Sequence, residues 1–222
     1  MPKIILANCN TILQPVQDEI SRSYDVINVY TKAELIDAVK SNPEYVFFLH
    51  WSWIIPETIF NNYDCVVFHM TDLPYGRGGS PLQNLIINGH KETKLSALKV
   101  DKGLDTGNIY LKRDLSLSGT AAEIFSRAGT LIKEMIKEII ETKIIPLPQK
   151  GEPTIFTRRK PEESLITDNI LEIEKLYDFI RMLDADNYPN AFLETKNFKF
   201  EFNKGQIVSN NKLTANVTIT KK

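Results

Sequence analysis

The chain has 222 residues, 42% of them hydrophobic and 25% charged, and 27 Lys and Arg stand against 28 Asp and Glu for a formal net charge of −1. These proportions belong to a globular protein and exclude a disordered chain, a collagen and a coiled-coil rod; the length suits one domain, or one domain with an appendage. Balanced charge argues against broad capture of nucleic acid, whose phosphates demand a basic face, and leaves room for no more than a small basic patch.

Residues 3–7 form a nearly unbroken apolar run, the pattern of a strand buried on both faces. Met1-Pro2-Lys3-Ile4 enters it without a signal-peptide cleavage pattern. No stretch approaches the roughly 18–20 apolar residues of a membrane span. A cytoplasmic protein with no membrane partner is therefore expected. Segment 24–30 is the next strand, and Thr31 opens a helix carrying Leu35, Ile36 and Val39. Segments 45–49 and 65–69 are two further buried strands with a short helix at 56–61 between them. Strands and helices alternating in this way predict a parallel sheet with right-handed crossovers. Cys9 and Cys65 lie in apolar segments with no metal-site spacing, so free thiols in a reducing compartment are expected, and no metal.

Segment 71–80 (TDLPYGRGGS) reads as a loop held by Pro74 and its glycines. Ser80-Pro81 is an N-cap and first-turn proline for a helix running to about Gly89. Residues 93–100 and 109–113 are strands around the turn Asp101-Lys102-Gly103. Thr120 and Glu123 form a capping box for a long helix with Ile124, Ala128, Leu131, Met135 and Ile139 on one face, ending near Lys143. Beyond the proline-punctuated linker 144–149, a helix near 170–183 buries Ile173, Leu176, Tyr177 and Ile180. Phe198, Phe200 and Phe202 then alternate, Asn203-Lys204-Gly205 turns the chain, and Leu213, Ala215, Val217 and Ile219 alternate again. An α/β domain over 1–150 is expected, with a small α+β subdomain over 151–222 that does not stand alone.

Ligands of open α/β sheets bind beyond the carboxyl ends of the strands. His50 and His69 sit at two such ends, available as acid, base or hydrogen-bond donor, or else satisfied by backbone carbonyls. His90, in a lysine-rich turn, is expected in solvent. Gly103-Leu104-Asp105-Thr106-Gly107 either lets a ligand approach a carboxylate between glycines or is a tight turn in which Asp105 bonds its own backbone. Arg77-Gly78-Gly79-Ser80 could hold an anion at a helix start but lacks phosphate-loop spacing.

Segment 65–107 resembles the catalytic core of the folate-dependent formyltransferases, whose pattern is Asn-x-His, a small hydroxyl residue, Leu-Pro, Arg-Gly and later Asp-Thr-Gly. VFHMTDLPYGRGGSPLQ and KGLDTG place His69, Thr71, Leu73, Pro74, Arg77, Gly78, Asp105, Thr106 and Gly107 in register. HWSWIIP at 50–56 fits too, and the likeness covers 1–150. It implies a Rossmann-like formyltransferase domain with a mostly parallel sheet, moving a formyl group from 10-formyltetrahydrofolate to an amine. In that reading His69 polarises the formyl oxygen, and Asp105 orients it and handles the proton. Leu73, Pro74, Asp105 and Trp51 are implied on the folate side; Thr71, Arg77 and Gln83 on the acceptor side. The family's Asn is Val67 here, which cannot donate a hydrogen bond. His50 is expected to replace it, with Ser52 as second candidate.

Residues 157–192 resemble the nucleotide-sugar N-formyltransferases. Arg158, Arg159 and Lys160 would sit near a nucleotide diphosphate, or else form a solvated basic run. The resemblance implies a UDP-linked 4-amino sugar as acceptor, as in glycan biosynthesis of the pseudaminic acid type, with no nucleic-acid partner and with room for a homodimer. The methionyl-tRNA branch has a longer C-terminal domain and a basic RNA-facing surface, which the short appendage and balanced charge do not match. Two rival readings are glycinamide ribonucleotide as acceptor, whose enzymes usually lack the appendage, and a degenerate folate or nucleotide-sugar binding protein in which Val67 marks lost activity.

Overall fold

The apolar runs at 3–7, 45–49 and 65–69 become the middle of a sheet, where both faces must be covered. The computed structural model describes residues 2–222. In chain order the elements are strand β1 (Lys3–Asn8), helix α1 (Gln14–Ile20), β2 (Asp25–Val29), α2 (Lys32–Ala38), β3 (Tyr45–His50), α3 (Glu57–Phe60), β4 (Asp64–His69), the short β5 (Arg77–Gly78), α4 (Pro81–Ile87), β6 (Glu92–Lys99), β7 (Ile109–Ser116), α5 (Ala121–Thr142), the short β8 (Ile155–Phe156), α6 (Ile173–Arg181), β9 (Ala191–Glu194), β10 (Phe198–Ser209) and β11 (Lys212–Lys221).

The central sheet has the order β2-β1-β3-β4-β6-β7. Its first four strands are parallel, while β6 and β7 run antiparallel to their neighbours. The fold is therefore the expected Rossmann-like α/β type, with a mostly parallel sheet and a small C-terminal sheet. Side chains of β1, β3 and β4 alternate between two cores, as period-two geometry requires. Val46, Phe48 and Cys65 pack with Leu35, Val39 and Ile59 on one face. Phe47, Val66 and Phe68 pack with α1, α4 and α5 on the other. Four of the five residues expected on the buried face of α5 are fully buried, and Leu131 is half-buried. The Thr120–Glu123 capping box starts this helix. Helix α1 was not legible: it offers only Val16 and Ile20 as fully buried apolar positions, too few to set a period. Among the described residues no helix is long and apolar enough to cross a membrane.

Two local expectations are corrected. Asn203-Lys204-Gly205 does not turn the hairpin. Strand β10 runs through it with a register slip between Asn203 and Gln206, and Lys204 takes a φ of 51°. A bulge uses the same turn-like residues as a hairpin loop; the loop itself is Asn210-Asn211, between the paired Ser209 and Lys212. Ser80 does not cap α4 with its side chain; its hydroxyl accepts the Arg159 N–H at 3.1 Å.

That hydrogen bond belongs to a crossing of two segments. Beyond the 144–149 linker, the chain returns beside the 71–80 loop, and β8 pairs in parallel with β5. At Gly78, with φ +105°, a Cβ would lie 2.5 Å from the Phe156 carbonyl oxygen. The glycines there admit a neighbouring backbone. The appendage continues into the main core: Ile180, Met182, Leu183 and Ala191 are buried in the same cluster as α4 and α5.

Candidate active site

Strands β3 and β4 are parallel neighbours, so His50 and His69 emerge at the same edge of the sheet. Both line one cavity of about 680 Å³.

His69 is 7% exposed. Its Nε2 lies 2.8 Å from the Gly76 carbonyl oxygen, which can only accept, so this nitrogen carries a proton. Nδ1 lies 3.6 Å from Oδ2 of Asp105. One nitrogen is thus committed to the 71–80 loop, and the one facing Asp105 is left for chemistry.

Asp105 has a φ of 52°, a conformation uncommon for a residue with a side chain. Several groups hold it there. The Gly78 N–H donates to its Oδ2 at 2.9 Å. Gln149 Nε2 donates to the carbonyl oxygens of Asp105 and Gly107, both at 2.8 Å. Arg77 in turn donates to Gln149 Oε1 through Nε at 3.2 Å and Nη2 at 2.7 Å. The turn's own bonding falls to Asp101, whose Oδ1 accepts from the Gly103 N–H at 3.0 Å and the Thr106 hydroxyl at 2.6 Å. The carboxylate of Asp105 is therefore free of that local duty.

Sequence reasoning brings His50, Trp51, His69, Gln83, Asp105, Arg158 and Arg159 to this cavity, and all seven line it. Four other expected site residues do not. Thr71 is fully buried, its hydroxyl 3.4 Å from the Gly76 carbonyl oxygen that also receives His69. Leu73 is buried in the core and Pro74, after a cis peptide bond, is buried in the loop. Arg77 points away to Gln149. These motif residues shape the frame around His69 and Asp105 and do not reach the cavity. Gln83, although on the wall, gives its Nε2 to the Met182 carbonyl oxygen at 3.2 Å. His90 is not in free solvent: its Nε2 lies 3.0 Å from the Tyr75 hydroxyl.

Val67 lines the cavity and offers no hydrogen bond. The ring of His50, expected to compensate, packs edge-on to Phe125 and places Nε2 3.5 Å from the Tyr188 hydroxyl. Burial, with Arg158 nearby, lowers the His50 pKa below its ordinary value. Ser52, the second candidate, is exposed and faces the Cys9 thiol at 3.7 Å. Tyr188 and Gln149 were missed. Tyr188 opens the Tyr-Pro-x-Ala-Phe end of the 157–192 segment that resembles the sugar enzymes, but nothing there marks it as a site residue, and a Gln in a linker carries no pattern; only the fold brings them here.

The lining is mixed. Trp51, Trp53, Ile54 and Leu104 supply apolar surface, with the two indoles edge to face at 4.8 Å. Arg158 and Lys160 also line the cavity and are exposed. Arg159 is half-buried, over the Phe179 ring and paired with Glu163. Among the described residues no cluster of His, Cys, Asp or Glu could hold a metal.

The chain is similar to known proteins over both its parts. Residues 14–127 match the formyl transferase family, and residues 161–220 match the methionyl-tRNA formyltransferase C-terminal domain. A solved structure of a methionyl-tRNA formyltransferase from Clostridium thermocellum is 48% identical, with a TM-score of 0.93 over 100% of both chains. The methionyl-tRNA formyltransferase of Rickettsia bellii is 32% identical over 149 residues, 62% of this chain and 49% of its own length. The chain thus spans about half the length of the curated relatives it matches. A sugar N-formyltransferase from Shewanella shares the fold, at 17% identity and a TM-score of 0.66 over 88% of this chain and 94% of its own.

These findings overturn two expectations. The nucleotide-linked amino sugar is not supported as acceptor, and with it go the glycan and pseudaminic acid associations: the sugar enzymes are similar only in fold, while the 48% identical chain is a methionyl-tRNA formyltransferase. The exclusion of a nucleic-acid partner falls for the same reason. Net charge averages over the chain: residues 191–222 alone carry six lysines against two glutamates.

Proposed function

The chain belongs to the formyl transferase family, and from that membership we propose that it transfers the formyl group of 10-formyltetrahydrofolate to the amine of methionyl-tRNA. One observation carries the chemistry: His69 Nδ1 and Asp105 Oδ2, 3.6 Å apart, face the same cavity. The 48% identical relative supports the acceptor.

The apolar surface of Trp51, Trp53, Ile54 and Leu104 fits the flat heterocycle of a folate, whose role is to supply an electrophilic formyl carbon. As the amine attacks that carbon, charge gathers on the formyl oxygen. With Nε2 fixed on Gly76, His69 donates to that oxygen from Nδ1 in its protonated form. Asp105 stabilises the imidazolium, and the Gly78 N–H holds the carboxylate in place. On the acceptor side, Arg158 and Lys160 meet phosphates of the tRNA 3′ end, and the lysine-rich last sheet adds a basic surface beyond the cavity. A reaction on tRNA places the enzyme in the cytosol.

The test is direct. Purified protein is given 10-formyltetrahydrofolate and methionyl-tRNA, and N-formylmethionine and tetrahydrofolate are measured. Stoichiometric appearance of both is expected. Folate binding with no transfer to methionyl-tRNA would sink the reading.

A further inference from the structure

One short loop sets both reacting groups. The Gly76 carbonyl oxygen receives His69 Nε2 at 2.8 Å, and the Gly78 N–H donates to Asp105 Oδ2 at 2.9 Å. The loop has little structure of its own: β5 is only Arg77 and Gly78, and it pairs with β8 alone.

Residues 154–156 hold it in place. The Thr154 hydroxyl accepts the Gly76 N–H at 2.7 Å. The Thr154 carbonyl oxygen accepts the Arg77 N–H at 3.0 Å, and the Phe156 carbonyl oxygen accepts the Gly79 N–H at 3.1 Å. In return the Thr154 N–H donates to the Pro74 carbonyl oxygen at 3.2 Å. The Gly76 carbonyl and the Arg77 N–H belong to one planar peptide unit, so Thr154 bonds one side of that unit and His69 the other. Gly76 itself is buried with a φ of 71°, and a Cβ there would lie 2.6 Å from the Phe156 ring. The strap is fastened further along as well, where Asn84 Nδ2 donates to the Thr157 carbonyl oxygen at 3.1 Å.

The consequence falls on the imidazole. A neutral ring has one proton and here two acceptors compete for it: the Gly76 carbonyl at 2.8 Å from Nε2 and the Asp105 carboxylate at 3.6 Å from Nδ1. A carboxylate is the stronger acceptor, so the proton stays on Nε2 only while the carbonyl is fixed close by. We propose that Thr154 is a positioning residue for the transfer: its hydroxyl fixes the Gly76 backbone, and through it holds the His69 proton on Nε2 and presents Nδ1 beside Asp105. The role rests on the formyl-transfer reading above. Thr154 is exposed, so its side chain matters here as an acceptor and not as filling for the core.

Two variants test this. Thr154→Val keeps the branched shape but leaves the buried Gly76 N–H without its acceptor, whereas Thr154→Ser keeps a hydroxyl. Thr154→Val is expected to lower kcat about tenfold with KM for 10-formyltetrahydrofolate unchanged, and Thr154→Ser to recover most of that loss. A near-normal kcat in the valine variant, or a loss that serine does not recover, overturns the proposal. Imidazole NMR reads the same geometry without turnover, and the chain has 3 histidines to assign. In the wild type the His69 Nε2–H is expected to be protected from exchange with water, in Thr154→Val to lose that protection, and in Thr154→Ser to regain it. An Nε2–H that is unprotected in the wild type, a reading that needs no variant to fold, or one equally protected in the valine variant, overturns the role. A wild-type protein inert toward methionyl-tRNA strikes the acceptor assignment instead, and the NMR comparison then judges Thr154.

Discussion

The two histidines at the sheet edge sit in opposite surroundings. Around His69 the polar groups are tied: Nε2 to Gly76, Asp105 to Gly78, the Asp105 backbone to Gln149, and Gln149 to Arg77. Around His50 they are slack, with an unpartnered Nδ1 and a long approach to Tyr188. Bond making needs groups fixed before the substrate arrives, because reorganisation at the moment of reaction raises the barrier; the tied side meets that need and the slack side does not.

The sharpest way to break this contrast is at Asp105. Asp105→Asn keeps an oxygen for the Gly78 N–H but removes the charge that stabilises a protonated His69. Turnover is expected to fall by about 10²–10³-fold with the thermal midpoint nearly unchanged. Near-normal turnover would mean that the tied side is scaffold and not chemistry. Next in size is Gln149→Leu, which strips the donors from two carbonyl oxygens and leaves Arg77 without its partner. A loss of about 1–3 kcal/mol in unfolding free energy is expected. Turnover should fall about tenfold, with KM for folate little changed, because the Asp105 loop loses its brace. Equal unfolding curves for wild type and variant would show that the brace is not holding strain.

Much of the tied side was legible in the sequence, and the slack side was not. His69, Gly78 and Asp105 were marked because VFHMTDLPYGRGGSPLQ and the later KGLDTG resemble the formyltransferase pattern; taken singly, each had a plainer reading. Buried strands announced themselves as apolar runs because both faces of β1, β3 and β4 are covered. The motif also over-promised. Thr71, Leu73, Pro74 and Arg77 fall in register yet serve the frame, since a pattern marks what the site needs without saying which residues touch the substrate. Gln149 and Tyr188 were not marked as site residues because they arrive by long-range packing, from a linker and from the appendage. The sugar acceptor leaned in part on a net charge of −1, which averages away the six lysines at residues 191–222.

The acceptor side makes a smaller prediction. Arg158→Ala is expected to raise KM for methionyl-tRNA several-fold and leave kcat nearly intact. The salt slope of log KM should fall by about one, the share of a single phosphate that Arg158 neutralises. An unchanged salt slope would detach Arg158 from phosphate and leave it as the charge that keeps His50 neutral.

The smallest effect separates the two histidines by stability. Burial and Arg158 lower the His50 pKa in the folded protein, whereas in the unfolded chain it titrates near ~6.5. Between those two values the unfolded chain binds more protons than the folded one. Unfolding is therefore favoured as pH drops through that window, and the loss levels off below the folded value. The contribution is fully present above the unfolded pKa. His50→Gln has no such group, so the wild-type thermal midpoint should decline relative to the variant on acidification below about pH 6.5, then run parallel to it. Acidification that leaves the difference constant, or moves it in favour of the wild type, would show that His50 is solvated or already partnered. The slack side of the cavity would then be as fully bonded as the tied one, and the contrast between the two strand ends would fail.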